Sequence, residues 1–248
     1  MTPSPRPVTL SDAAKRKLRT VSTATLTTQL VNRGLQNTFL TGLRPLRPDL
    51  RLLGYAFTLR YAPAREDMGG AHYDNSTNVQ RLAVEAVGEE DVLVIDARGE
   101  VRAASLGHIL ATRMARRGAA GLVTDGAVRD SGSFRDLPTP TYIKAPHATT
   151  SSVVHHPVDM NVPIGCAGVL VMPGDVLVGD DEGVVVIPAQ FAEQVAHDAY
   201  EQELQEDWIL DRVRNGAAIN GLYPPSETTR AEFATWRETQ PAGPDADR

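Results

Sequence analysis

Apolar and polar positions along the chain follow two rhythms, one helical and one alternating. Residues 10–34 carry the helical one. Ser11 is placed to cap AAKRKLRT, Ser22 to cap ATLTTQLVNRG, and Gly34 to stop the second helix. The threonines of that stretch lower its helical preference, because β-branched side chains lose rotamer freedom in a helix. Residues 52–61, LLGYAFTLRY, alternate as a half-buried strand does. The next segment, 62–78, is polar, contains Gly69-Gly70 and is longer than an ordinary connection. Residues 78–87 then read as a helix, 91–96 as a buried strand, 107–117 as a helix with Gly107 at its mouth, and 122–125 as another buried strand. This strand, helix, strand order predicts a parallel pair.

Beyond residue 140 the pattern becomes mostly strand, at 141–144, 153–154, 169–172, 176–178 and 184–187. Pro173-Gly174-Asp175 and Asp180-Asp181-Glu182-Gly183 supply turn chemistry between them. Residues 189–215 return to a long helix whose apolar positions include Phe191, Val195, Ala199, Leu204, Ile209 and Val213. The sum is a mixed α/β protein with helices at both ends. Residues 1–8 and 238–248 read as flexible tails, and 9–237 as a single domain, since no linker, repeat or low-complexity tract divides them.

Composition narrows the function. Of 248 residues, 25 are Lys or Arg and 31 Asp or Glu, a net charge of −6, which argues against a phosphate-backbone binder. Cys166 is the one cysteine, so an internal disulfide framework and a zinc site of several thiolates are both excluded. No apolar run approaches the roughly 18–20 residues of a membrane span. The first twenty residues lack the apolar core of a secretory signal. The expectation is a cytoplasmic protein with no nucleic-acid or membrane partner.

Candidate chemistry concentrates in a few places. Asp125-Gly126-Ala127-Val128-Arg129-Asp130 follows a buried strand directly, and ligands of α/β sheets gather at strand carboxyl ends. Arg129 offers a donor fork for a carboxylate or oxo-acid oxygen, and Asp130 a hard oxygen for a Mg²⁺-like ion. The same pair also fits a surface ion pair capping the next helix. Gly107-His108-Ile109-Leu110 opens a helix, so backbone amides near Ile109 and Leu110 can face an anion, or simply begin a helix. His147, His155 and His156 lack the spacing of a helical zinc pair, and adjacent strand residues face opposite sides. Asp180, Asp181 and Glu182 fit either a cation or a solvated turn. Glu201, Glu203 and Glu206 fit a solvated helix face. Cys166 fits a small buried apolar residue.

Several of these pieces, in this order, resemble the RraA-like family, which includes the 4-hydroxy-4-methyl-2-oxoglutarate / 4-carboxy-4-hydroxy-2-oxoadipate aldolases. The resemblance is carried by GHILA at 107–111, RRGAAGLVTDGAVRD at 116–130, Pro173-Gly174-Asp175, Gly179-Asp180 and GVVVIP at 183–188. It runs over roughly residues 15–225. The resemblance implies a β-β-α sandwich of the swivelling-domain type, and trimers or hexamers with the active site between subunits. It also implies a divalent metal, Mg²⁺ or Mn²⁺, on Asp130, with Arg129 on the oxo-acid oxygen. Gly107, Ile109 and Leu110 would hold the pyruvyl carboxylate. The implied activity is a metal-dependent aldolase acting on a small 2-oxo acid, with oxaloacetate decarboxylase side activity. The alternative is a non-catalytic regulator that binds an RNA-degrading enzyme.

Members of this kind usually carry Asp or Glu after the glycine, where this chain has His108. His108 can serve as a base, ligate a softer metal, or mark a changed activity. Glu201 or Glu203 are candidates for the acidic group supplied by a neighbouring subunit. In the long loop, His72, Tyr73, Asp74 and Asn75 are candidates for contact with a polar substrate tail.

Overall fold

The computed structural model describes residues 8–67 and 74–240. Its centre is β2 (Leu52–Pro63), twelve residues long. One edge of β2 runs parallel to β3 (Asp91–Asp96), which pairs in turn with β5 (Gly121–Thr124), β7 (Thr141–Ile143) and the short β1 (Arg44–Pro45). The other edge is shared. Its first half pairs antiparallel with β12 (Val176–Gly179), which carries β13 (Val184–Ile187), and its last half with β9 (His155–Met160).

Both faces of this sheet are covered, so β2 is buried on both sides, and the half-buried reading of residues 52–61 is corrected. On one face, Leu53 and Tyr55 pack under α1 (Asp12–Leu18), α2 (Thr23–Val31) and α5 (Ala192–Arg214). Further along that face, Phe57, Leu59 and Tyr61 pack under α3 (Val79–Ala86) and α4 (His108–Arg116). The opposite face meets the hairpin of β10 (Ile164–Cys166) and β11 (Val169–Val171), which brings Cys166 fully inside. Helices, central sheet and hairpin thus form three layers.

The helix starts follow from local chemistry. Ser11, Ser22 and Asn78 each accept a backbone N–H of the helix that follows, at 3.1, 3.1 and 3.2 Å. Gly34, just past α2, has the positive φ of a helix stop.

Two elements differ from the sequence reading. Residues 153–154 are not a strand: Ser151–Val153 is a single 3₁₀ turn, and the strand begins at His155. Residues 227–238 form a further helix, α6 (Glu227–Glu238), capped by Ser226, so Glu238 closes a helix rather than opening a tail. Phe233 and Trp236 of α6 pack on Trp208 of α5, in a small core separate from the other three. The tail residues 1–7 and 241–248 lie outside the described residues, as do His72 and Tyr73.

The parallel strands break and resume, and the break shapes the site. β4 (Ala104–Leu106), β6 (Ala127–Val128) and β8 (Ala145–Pro146) form a second parallel sheet beyond β3, β5 and β7. Asp125-Gly126 is the joint between β5 and β6. The buried Asp125 carboxylate accepts N–H groups from Ala97, Gly99 and Ala167 at 2.7, 2.9 and 3.3 Å. Burial pushes its pKa up despite those donors. A Cβ on Gly126 would come within 2.6 Å of the Ala97 Cβ, so the joint has no room for another side chain.

Candidate active site

β4 and β6 end side by side, with the Arg129 N–H donating to the Leu106 carbonyl at 3.1 Å. This pairing sets Gly107 against Arg129. Gly107 is the N-cap of α4, in extended conformation and with no side-chain capping bond. The first-turn amides of α4 therefore lack the side-chain partner that Ser11, Ser22 and Asn78 give to other helices. Next comes Asp130, at φ 59° and ψ 31°, in the left-handed region that few residues other than glycine, Asn and Asp occupy. The kink turns its carboxylate back toward Arg129, whose Nε lies 3.4 Å from Oδ2. Both side chains are 45% exposed, so this contact is a loose, solvated one.

These groups share one cleft of about 170 Å³. Gly107, Ile109, Leu110, Arg129 and Asp130 all line it. Of the residues singled out from the sequence, the structure brings those five together. Part of the lining was not read from the sequence: Gln80 and Arg81, from the first turn of α3, and Thr150 and Ser151. Gln80 is locked in place, donating from Nε2 to the Tyr61 hydroxyl at 2.7 Å and to the Ser105 carbonyl at 2.6 Å.

His108 is adjacent to Gly107 but outside the cleft lining. Its Nε2 is 3.3 Å from the Thr112 hydroxyl, and its ring stands edge-on to Phe134 at 6.1 Å. The other histidines separate. His147 lines a neighbouring hollow of about 560 Å³ that also touches Asp130, and its Nδ1 accepts the Thr149 N–H at 3.1 Å. His155 is buried, stacked on Tyr61 at 5.2 Å with Nε2 3.2 Å from the Ala103 carbonyl, and burial lowers its pKa.

The remaining candidates hold the fold. Asp180 accepts the Thr23 N–H and hydroxyl at 2.8 and 2.9 Å, as a turn anchored to α2. Glu201 pairs with Arg237 at 3.0 Å, Glu203 accepts the Ser22 N–H, and Glu206 accepts from Gln202. Asp74 accepts the N–H and hydroxyl of Ser76, and neither it nor Asn75 lines the cleft.

The donor set bears on any metal. Among the described residues no three His, Cys, Asp or Glu side chains stand together as a ligand cage. Among the described residues the cleft offers one carboxylate, Asp130. That fits a hard ion such as Mg²⁺, which keeps much of its water and takes one or two carboxylates plus substrate oxygens. It does not fit a closed zinc site.

Comparison with known proteins follows this geometry. The family model described as RraA-like, Aldolase/RraA, matches residues 9–186. A putative 4-hydroxy-4-methyl-2-oxoglutarate aldolase from Halalkalibacterium halodurans is 31% identical over 191 residues, covering 77% of this chain and 84% of its own. Protein DlpA of Legionella pneumophila is 28% identical over 180 residues, and the match covers 73% of this chain and 28% of that longer protein. The crystal structure of Streptomyces coelicolor RraAS2, described as an unusual member of the RNase ES inhibitor RraA protein family, is 32% identical. It superposes with a TM-score of 0.72 over 82% of this chain and 98% of its own. No helix among the described residues is long and apolar enough to cross a membrane.

Proposed function

We propose a function from one premise: this chain belongs to the RraA-like family. The function is a divalent-metal-dependent lyase that cleaves a small 4-hydroxy-2-oxo acid to pyruvate, with decarboxylation of oxaloacetate as a side activity. One observation carries it. Arg129, Asp130 and the uncapped start of α4 face a single cleft.

The chemistry follows from where charge grows. In the retro-aldol step the C4 hydroxyl gives up its proton to solvent water, C4 becomes the carbonyl carbon of the second product, and the C3–C4 bond breaks. Its electron pair becomes the C2–C3 double bond of an enolate, with negative charge on the former 2-oxo oxygen, and protonation of C3 from water then gives pyruvate. Decarboxylation of oxaloacetate leaves the same enolate. The Arg129 guanidinium, beside that oxygen, stabilises the charge more as it forms than before. The amides of Ile109 and Leu110 would take the 1-carboxylate, as helix starts take anions. Asp130 would hold Mg²⁺ or Mn²⁺, and a bound ion supplies a second positive charge for the enolate oxygen. A trimeric or hexameric assembly with the cleft at a subunit interface is part of the proposal. Ile109 on the cleft wall and Val153 beside Ser151 are 82% and 59% exposed, which supports a covering copy.

The test is pyruvate release from 4-hydroxy-4-methyl-2-oxoglutarate and from oxaloacetate, with Mg²⁺ or Mn²⁺, with EDTA, and with Asp130→Ala. Turnover that EDTA and the substitution abolish is the expected result. No turnover with any metal overturns the lyase. The second reading then takes over: contact with an RNA-degrading enzyme, favoured by the RNase-inhibitor relative. Pull-down with purified RNA-degradation enzymes is its check.

A further inference from the structure

The cleft has a neighbour that shares one of its residues. The second hollow is lined by Ser131, Ser133 and His147, and Asp130 lines both. The two spaces therefore meet at Asp130. Arg129 and the α4 amides account for the charge on C1 and C2 of an oxo acid. The C4 oxygen, which becomes charged when its proton leaves, has no partner among them.

His147 is held there by backbone and side chain alike. β6 and β8 run parallel, with Ala127 opposite Ala145 and Val128 opposite Pro146. The His147 N–H donates to the Val128 carbonyl at 2.9 Å, which carries that register one residue further and sets His147 alongside Arg129. The Thr149 N–H donates to His147 Nδ1 at 3.1 Å. A backbone N–H can only donate, so Nδ1 is an acceptor and the ring proton sits on Nε2. Nε2 has no hydrogen-bond partner among the described residues. The ring is thus a single N–H donor whose tautomer is fixed from behind. A neutral imidazole fixed in this way stabilises a growing oxyanion without giving up its proton.

We infer that His147 is a further catalytic residue, whose Nε2–H donates to the C4 oxygen of the substrate as that oxygen becomes an alkoxide. This deepens the proposed function and rests on it. With C2 at Arg129, the substrate runs past Asp130 and places C4 on the His147 side. The C4 hydroxyl proton leaves to water, and Nε2–H stabilises the alkoxide. The C3–C4 bond then breaks as the C4 carbonyl forms, and the imidazole keeps its proton throughout. Oxaloacetate has no C4 hydroxyl: its C4 leaves as carbon dioxide and no alkoxide forms. The two reactions therefore differ in their need for His147.

That difference is the test. Two rates are measured on the full chain with Mg²⁺, each above its enzyme-free background: cleavage of 4-hydroxy-4-methyl-2-oxoglutarate and decarboxylation of oxaloacetate. His147→Ala is expected to lower the ratio of cleavage kcat to decarboxylation kcat by about a hundredfold, the usual cost of one oxyanion donor. His147→Gln, whose amide also donates, is expected to regain about tenfold of that loss. An unchanged ratio in His147→Ala overturns the inference and leaves the lyase standing. So does an equal fall in both rates, which a folding defect or a displaced Asp130 would give. A glutamine variant no better than alanine overturns the donor role, as does a wild type that decarboxylates oxaloacetate but cleaves no 4-hydroxy-2-oxo acid. If wild type runs neither reaction, the lyase reading falls and the inference with it.

Discussion

The aliphatic stem of Arg129 rests on Gly107. A Cβ built at residue 107 would lie 2.8 Å from Arg129 Cγ, 3.1 Å from its Cδ and 3.4 Å from Asp130 Oδ2. Gly107→Ala therefore pushes the guanidinium off its line. Because the stem is half-exposed and can swing, the fold should tolerate the change, with a melting shift equivalent to about 1 kcal/mol or less. Turnover should drop on the order of a hundredfold, the cost of misplacing a catalytic group by an ångström. Steady-state kinetics beside a thermal melt checks both, and wild-type kcat/KM in the variant would show that the contact does not set the guanidinium.

Asp130 combines a charge with a backbone that L-residues rarely adopt. Asn tolerates the left-handed region nearly as well as Asp, whereas Ala does not. Asp130→Asn is expected to match wild type in stability, and Asp130→Ala to lose about 1 kcal/mol or more. Both should lose turnover, because neither keeps the carboxylate. Denaturant midpoints of the two variants, read beside pyruvate release, separate backbone from charge.

His108 makes a sharper case. Its ring lies on the Thr112 and Phe134 side of α4 and not in the cleft. His108→Ala is expected to keep kcat within about threefold, whereas loss of a general base costs about a hundredfold or more. A hundredfold fall in kcat, with loss of the pH-rate limb near neutrality, would instead make it the base.

His155 gives the fold a pH dependence of definite sign. Burial, with Arg98 nearby, lowers its native pKa below the ordinary 6.5. As pH falls past about 6.5 the unfolded chain takes up a proton on this ring before the native chain does. Stability from this group is thus full above that pH, declines below it, and levels off once the native ring also protonates. Asp96, Asp125 and Asp175, whose pKa values burial raises, act with the opposite sign at lower pH. The difference between wild type and His155→Gln isolates the imidazole. Denaturation curves from pH 7 to 5, a window of roughly this kind for histidine, should be flatter in the variant.

What could be read from the sequence was local. Ser11, Ser22 and Asn78 announce their helices because a cap reaches only two or three residues along the chain. Gly107 and Arg129-Asp130 were visible as motifs, each within a few residues. Gln80 and Ser151 were not, because Gln80 reaches the cleft only through α3 packing on the sheet, and Ser151 only through β9 pairing with β2. β9 itself was missed because Pro157 and paired histidines interrupt its apolar alternation, which an edge position tolerates. α6 was missed because Phe233 and Trp236 pack on another helix, away from the sheet. The three histidines lacked the spacing of a metal group in the sequence, and the structure separates two of them: β9 buries His155, while His147 lines a hollow beside Asp130.

The small core where α5 meets α6 has a spectroscopic consequence. The chain has two tryptophans, and both Trp208 and Trp236 lie in that core, with the Arg212 guanidinium 3.3 Å over the Trp208 ring. Tryptophan emission therefore reports on the C-terminal helix pair and is blind to the cleft and the sheet. Circular dichroism reports chiefly on the rest. An unfolding experiment followed by both signals would register undocking of α6 as a fluorescence change that precedes the loss of the sheet.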